Sequence, residues 1–289
     1  MPLKDYYRLA KPGMVYGNLI PVIGGFALAS RGDIRFGLFA ATIVGAILGM
    51  ASACVCNNVI DHDVDAKMRR TKHRAVAAGR ISRRSAFVYG MVLGISGAAV
   101  YALAVNFVAI AVGAVGFFFY VFMYSMWWKR RSVWGTAVGS VSGAMPPVVG
   151  YVAASGKIDA AAVIIFATMV AWQMPHFFAI AIRHADDYAA AGIPALPVVR
   201  GLRATKVQMA LYIAALAVIA PLLTVFGYAG KAYLAVALVL SVAWLGLSVS
   251  GFRIADADKA NIAWARNMFV FSLVLIVALF VTMTFSTVA

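Results

Sequence analysis

The chain has 289 residues, 64% of them hydrophobic, and a mean hydropathy of +0.90, which excludes a soluble globular protein and indicates a polytopic membrane protein. Its acids are ten aspartates, with no glutamate, set against 25 Lys and Arg for a net charge of +15. A nucleic-acid role is excluded by how that charge is distributed, since most of it falls between apolar runs and on one side of a membrane.

Cutting the chain at its charges leaves runs to compare with the ~20 residues that cross a ~30 Å hydrocarbon layer. Nine spans are predicted, near 12–30, 36–60, 85–105, 107–128, 132–154, 160–182, 207–229, 232–252 and 267–287. Ser85 to Trp128 is one uncharged run of 44 residues. At 1.5 Å per residue it makes about 66 Å of helix, enough for two crossings, so it reads as a hairpin turning near Asn106. Met1 to Lys11 is polar and the first span lacks a small-residue cleavage site, so that span is expected to act as its own insertion signal. Nine crossings put the termini on opposite sides. Sorting the loops alternately gives 21 Lys and Arg on the side of the N-terminus and 4 on the other. This asymmetry predicts a cytoplasmic N-terminus, an outer C-terminus and cytoplasmic loops facing anionic lipid.

Span two contains Cys54 and Cys56, read as buried free thiols rather than a soft metal site, because no further ligand lies near them. Its end and the loop beyond read "NNVIDHDVDAKMRRTKHR" (57–74), with three aspartates and five Lys or Arg. Asn57, Asp61 and Asp65 recur at i, i+4, i+8, one face of a helix emerging at the cytoplasmic side, while Asp63 points off that face into solvent. Carboxylates so close repel unless a cation separates them, and hard oxygen donors suit Mg²⁺, which binds through one or two carboxylates plus substrate phosphates. The alternative is a solvated loop whose aspartates pair with neighbouring Lys and Arg. Arg69, Arg70, Lys72 and Arg74 add a positive field suited to a diphosphate, with Arg70 and Arg74, one turn apart, the preferred pair.

In span four, Tyr120 and Tyr124 share a face leading to Lys129 and Arg130; they either reach the diphosphate or form an aromatic belt with snorkelling cations. Gly143, Pro146 and Pro147 predict a kink in span five. The loop after span six, "RHADDYAAAGIPALPVVRG" (183–201), brings Asp186 and Asp187 to the same side, with Gly192, Pro194 and Pro197 forming a rigid segment able to cap a cleft. The two long polar loops lie four helices apart, a spacing that hints at an internal duplication. No soluble appendage or linker is visible, so one membrane domain over 1–289 is expected.

"NNVIDHDVDAKMRRT", "GSVSGAMPPVVGY" (139–151), "WQMPHFFAIAI" (172–182) and "DDYAAAGIPALPVV" (186–199), with "AKPGMVYGNLIPVIGGF" (10–26), resemble the heme O synthase (protoheme IX farnesyltransferase) family of the UbiA superfamily of intramembrane prenyltransferases. The acidic motif specifies only the superfamily; "WQMPHF" and "DYAAAGIPALPV" point to the heme-modifying branch. The resemblance implies an all-α fold of nine transmembrane helices around a central cavity with a cytoplasmic cap. It implies farnesyl diphosphate and heme b as substrates, heme O as product, Mg²⁺ as cofactor, and residence in the bacterial inner membrane. Contact with a heme A synthase or terminal oxidase is left open. One departure stands out: the superfamily's second D-x-x-x-D is absent, since Ile182 and Arg183 stand four residues before Asp186 and Asp187, and Asp187 becomes the preferred second-loop ligand.

The resemblance thus assigns catalysis to Asn57, Asp61 and Asp65, metal binding to Asp61, Asp65 and Asp187, and diphosphate binding to Arg70, Arg74, Lys129 and Tyr124. His176, in span six beside Trp172 and Pro175, is read either as a ligand or orienting group for heme or as a histidine bonded to a neighbouring helix. His62, His73 and His184 are read as solvated. No Ser/His/Asp or Cys/His arrangement is present. A prenyltransferase acting on a quinone precursor and a secondary transporter are the rival readings; against the transporter, nearly all ionisable groups lie at one face.

Overall fold

The structure is a computed structural model that describes residues 2–256 and 259–286. Among the described residues, nine helices are long and apolar enough to cross a membrane. In chain order they are α1 Pro12–Ser30, α2 Phe36–Ile60, α3 Arg83–Ala104, α4 Phe107–Arg130, α5 Gly135–Ser155, α6 Ala160–Arg183, α7 Gly201–Val225, α8 Lys231–Arg253 and α9 Ala260–Phe285. The hairpin between α3 and α4 turns where predicted. Asn106 accepts a hydrogen bond from the Ala109 amide (2.8 Å) and donates to the carbonyls of Val152 and Ala153 (both 3.0 Å), capping α4 and tying it to α5.

Two boundaries differ most from expectation. Helices α7 and α9 start at Gly201 and Ala260, six and seven residues before the predicted 207 and 267. Cutting at charges stops a span at its first Lys or Arg, but a helix carries such residues through the interface. Lys206 is almost fully buried, with Nζ donating to the Ile254 carbonyl (2.9 Å) and to Asp256 Oδ1 (3.1 Å). That bond ties α7 to the loop between α8 and α9.

Helices α1 to α5 form a closed ring in which each packs on the next and α5 returns to α1. Helices α6 to α9 form a second, more solid block around Trp244, Met268 and Leu275, joined to the ring where α6 meets α5 and α9 meets α1. The seam between α1 and α5 depends on two glycines. A Cβ on Gly25 would run into the Pro147 carbonyl, and one on Gly150 into the Val22 carbonyl, so the backbones approach as closely as two helices can. The two prolines do not break α5, which is helical throughout Gly135–Ser155.

The ring encloses a cavity of ≈ 660 Å³, walled mostly by small and apolar side chains and closed on one side by Gln173, Phe177 and Ala181 of α6. Over its polar mouth lie two loop segments. The short helix His62–Lys67 continues from α2, and Val64 and Met68 pack against Ile193 with Tyr188 and Ala191 at the edge. The loops after α2 and α6 therefore meet. Replacing Gly150 by Val is expected to destabilise the fold by about 1–3 kcal/mol through overpacking at the α1–α5 seam. A fall in Tm of the detergent-solubilised protein would register it, with Gly246→Val, at a position where a Cβ meets nothing within 4 Å, as the control.

Candidate active site

Asn57 stands on the last turn of α2, Asp61 caps it, and Asp65 stands on the helix beyond; the backbone N–H of Asp61 bonds to the Asn57 carbonyl (2.9 Å) and that of Asp65 to the Asp61 carbonyl (2.7 Å). The helical trace thus runs on across the boundary, and the i, i+4, i+8 spacing becomes one face. All three side chains are buried, Asp61 completely. Burying two carboxylates costs several kcal/mol each unless they are paired, and each has a dedicated cation. Asp61 Oδ2 accepts a charge-assisted hydrogen bond from Lys129 Nζ and a second bond from Asn57 Nδ2 (2.7 Å). Asp65 takes both its hydrogen bonds from Nη1 of Arg74, at 2.9 and 2.7 Å.

Asp61 Oδ1 is buried and has no hydrogen-bond partner among the described residues; Arg130 Nη2 is 3.8 Å away. Arg130 turns outward instead to grip Asp63 at 2.7 and 2.8 Å, and this guanidinium holds the Asp63 carboxyl down at about 2. Asp63 is therefore half-exposed and ion-paired rather than freely solvated.

Helix α4 delivers Tyr120, Tyr124 and Lys129 through a π-helical segment, Phe119–Trp127. The wide turn is closed by Ser125, whose Oγ donates to the Tyr120 carbonyl (2.8 Å) and accepts from Asn57 Nδ2 (2.9 Å). A local departure of this kind marks functional segments of helices. It stacks the Tyr120 and Tyr124 rings at 5.9 Å, with Lys129 Nζ 5.8 Å above the Tyr124 ring. Both tyrosines line the cavity, as do Arg70, Arg74 and Lys129.

Lys11 completes the mouth. It precedes Pro12 at the start of α1 in a left-handed backbone conformation (φ 50°), which costs a non-glycine residue about 1 kcal/mol or more. That strain aims its ammonium into the cavity mouth, where Nζ donates to Asn57 Oδ1 at 2.5 Å. Burial pulls Lys11 down from the usual lysine range to about 8. Sequence reasoning missed Lys11 and Ser125; a Lys directly before the proline of a first membrane helix was the available signal for the former.

The structure gathers Asn57, Asp61, Asp65, Arg70, Arg74, Tyr124 and Lys129 at one place, but not Asp187 or His176. Asp187 sits on the short helix Ala185–Ala190 at the cap, 4.0 Å from the exposed Arg69, while its neighbour Tyr188 reaches the cavity. His176 is buried one layer behind the wall, with Nδ1 2.7 Å from Ser272 Oγ of α9 and its ring stacked on Trp172 at 4.8 Å. Of the loop histidines, His73 is exposed and His62 and His184 are half-buried. Burial, with Arg70 and Arg183 nearby, lowers His184 below its ordinary value. Cys54 and Cys56 are buried and free, and among the described residues no cluster of three His, Cys or Asp forms a ready-made metal cage.

A buried polar mouth with surplus cations, set over a long apolar cavity in a nine-helix membrane fold, is the architecture of intramembrane prenyl transfer. The model of the UbiA prenyltransferase family matches residues 18–285. The chain belongs to that family and is a prenyltransferase. It is 49% identical over 287 residues to a protoheme IX farnesyltransferase of Pectobacterium carotovorum subsp. carotovorum, covering 99% of this chain and 96% of that one. It is 50% identical over 281 residues to a protoheme IX farnesyltransferase of Klebsiella pneumoniae subsp. pneumoniae, covering 97% and 94%. Its fold is shared by a digeranylgeranylglyceryl phosphate synthase (TM-score 0.80, 15% identity, 98% of each chain). It is shared too by a UbiA homolog from Archaeoglobus fulgidus bound to GPP and Mg²⁺ (TM-score 0.71, 17% identity, 96% of this chain and 99% of that one).

Because Lys11 is charged below about 8 and neutral above it, inorganic pyrophosphate, used as a probe of the mouth, is expected to bind more weakly as pH rises through that value. The loss should be about tenfold, the size of one charge-assisted hydrogen bond. Titration calorimetry with Lys11→Arg alongside is the check: the arginine variant should lack the step.

Proposed function

We propose that this protein transfers a farnesyl group from farnesyl diphosphate to a vinyl group of heme b, with addition of water, to give heme O, within a single prenyltransferase domain spanning 1–289. The observation that carries the reading is the division of the site into a polar mouth, with Lys11, Arg70, Arg74 and Lys129 outnumbering Asp61 and Asp65, and an apolar cavity beneath it. The heme assignment draws on the relatives of nearly equal length named protoheme IX farnesyltransferase.

The donor set at the mouth fits Mg²⁺: Asp61 and Asp65 offer hard oxygens, and among the described residues Asp61 Oδ1 is buried without a hydrogen-bond partner and too few ligands come together to hold a metal without substrate oxygens. We assign the ion to Asp61 and Asp65; Asp187, held at the cap beside Arg69, would become a further ligand only if the second loop carried it toward the mouth. When bound there, it neutralises charge on the departing diphosphate.

The chain's own residues do the rest. Arg70, Arg74, Lys11 and Lys129 bind diphosphate oxygens, and Tyr124 lies beside them. Asn57 fixes Asp61 and Lys11 relative to one another through both ends of its amide. The Tyr120 and Tyr124 rings offer negative faces to the allylic cation, and the apolar wall keeps bulk water from it. The C–C bond forms when the terminal carbon of the heme vinyl attacks C1 of the farnesyl group, so no protein nucleophile is required. His176 serves the porphyrin only by bracing α6 against α9.

The excess of Lys and Arg on the loops beside this mouth supports a bacterial inner-membrane protein with its N-terminus and active site cytoplasmic and its C-terminus outside. The apolar product would pass to a membrane neighbour such as a heme A synthase or terminal oxidase.

Membranes given farnesyl diphosphate and either heme b or 4-hydroxybenzoate are expected to yield, by mass spectrometry, a farnesylated product from heme alone; prenylated 4-hydroxybenzoate would overturn the acceptor assignment. Asp61→Asn should lower turnover about 10²–10³-fold, the range for losing one preorganised electrostatic contact, in a variant that still elutes as a folded, monodisperse protein despite the lower Tm that loss of the Lys129 pair brings. His176→Ala should lower the Tm while leaving heme affinity intact, and a lost heme affinity would restore its role as a heme ligand.

A further inference from the structure

Gln173 is a buried amide facing the cavity, only 2% exposed. Its Nε2 donates to the carbonyls of Ser140 (3.2 Å) and Met169 (3.1 Å). Both N–H groups are thereby committed to helices α5 and α6, which fixes the orientation of the amide. The carbonyl end accepts no hydrogen bond from the described residues and lies against Gly143, where Oε1 occupies the space a methyl on that residue would need. On the same turn of α5, Pro146 and Pro147 have no N–H to donate to the carbonyls of Ser142 and Gly143, their i−4 partners. Ser142, Gly143, Pro146 and Gln173 all line the cavity. A hydrogen-bond acceptor locked in place, beside backbone carbonyls that lack their i+4 donors, makes a polar spot in a wall that is mostly apolar.

Acceptors without donors suit a ligand that brings two O–H groups. A water molecule there, donating to Gln173 Oε1 and to a freed carbonyl, would turn its lone pair toward the cavity. The proposed reaction needs one such water. Bond formation between farnesyl C1 and the terminal vinyl carbon leaves a cation on the internal vinyl carbon, next to the porphyrin ring. Water oxygen bonds to that carbon, and the water's surplus proton passes to the released diphosphate or to solvent. If the water is missing, the same cation loses a proton from carbon and gives an alkene 18 Da lighter.

We infer that Gln173, with the Pro-released carbonyls of α5, positions the water that hydroxylates the product, and so decides between alcohol and alkene. The inference rests on the heme reading above. Gln173 is a positioning residue, acting on the substrate through the water.

The test is product analysis by mass spectrometry, with pyrophosphate release measured in parallel, on the full-length protein in membranes. Gln173→Met keeps the volume and removes the acceptor. Gly143→Ala reaches the same oxygen from the opposite helix. Both variants are expected to release pyrophosphate in the presence of heme while the alcohol-to-alkene ratio falls about tenfold, the size of one lost hydrogen bond. An unchanged ratio in either variant overturns the inference, whether total product holds or falls, since a purely structural role lowers both products together. Absence of heme-dependent pyrophosphate release from the unaltered protein would instead remove the heme reading, and this inference with it.

Discussion

Two buried carboxylates, each neutralised by its own cation, one from the same loop and one from a distant helix, are the constraint on which the rest of the site depends. Asp61 is held by Lys129 from the end of α4, and Asp65 by Arg74 from the loop after α2. Removing either cation would strand a charge in a water-poor mouth, at a cost of several kcal/mol. The pairs thus fix α2, α4 and the first cap loop relative to one another, and Asn57 extends the lock to α1 through Lys11. The same pairs explain why the mouth looks like a salt-bridge cluster rather than a metal cage. Its carboxylates and cations satisfy each other, and under the proposed function a divalent cation and a diphosphate arriving together would exchange partners with both sets.

Much of this was legible in the sequence, for a physical reason. Crossing a bilayer demands long uncharged runs, so all nine spans could be counted, and helical continuity past the end of α2 put Asn57, Asp61 and Asp65 on one face. What was hidden depended on three-dimensional meeting. For 57–74 the sequence offered a metal site or a solvated loop whose aspartates pair with neighbouring Lys and Arg; the structure makes one such local pair, Asp65 with Arg74, but buries it, and draws Lys129 and Arg130 from α4 to Asp61 and Asp63. The two outer pairings reach across some seventy positions of sequence and could not be seen locally. The π-helical turn of α4 leaves no signature in composition, and His176 faced one of two sides that helical periodicity could not choose between.

The boundaries that moved are instructive in the same way. A charge was treated as the end of a span, yet Lys206 is buried inside α7 because the backbone carbonyl of Ile254 and the carboxylate of Asp256 come to meet it. Charge ends a membrane helix only where no partner is supplied. At the mouth of the ring the same rule operates in reverse: Lys11, Lys129 and Arg74 are tolerated in a largely buried setting because Asn57, Asp61 and Asp65 are there to receive them.

The two halves of the molecule divide the labour that intramembrane chemistry imposes. A reacting allylic cation needs a dry wall, and a dry wall of helices needs backbones close enough to leave no gap to lipid. Reciprocal contacts at Gly25 and Gly150 supply that closeness between α1 and α5. The solid α6–α9 block then backs the ring with a rigid face, with Trp172 and His176 both bonded to Ser272 of α9. A cavity that opened freely would admit water everywhere, and one sealed completely would admit none. Prolines in α5 that leave the helix unbroken yet free two carbonyls meet both demands at once, because they add polarity at a single turn without opening the wall.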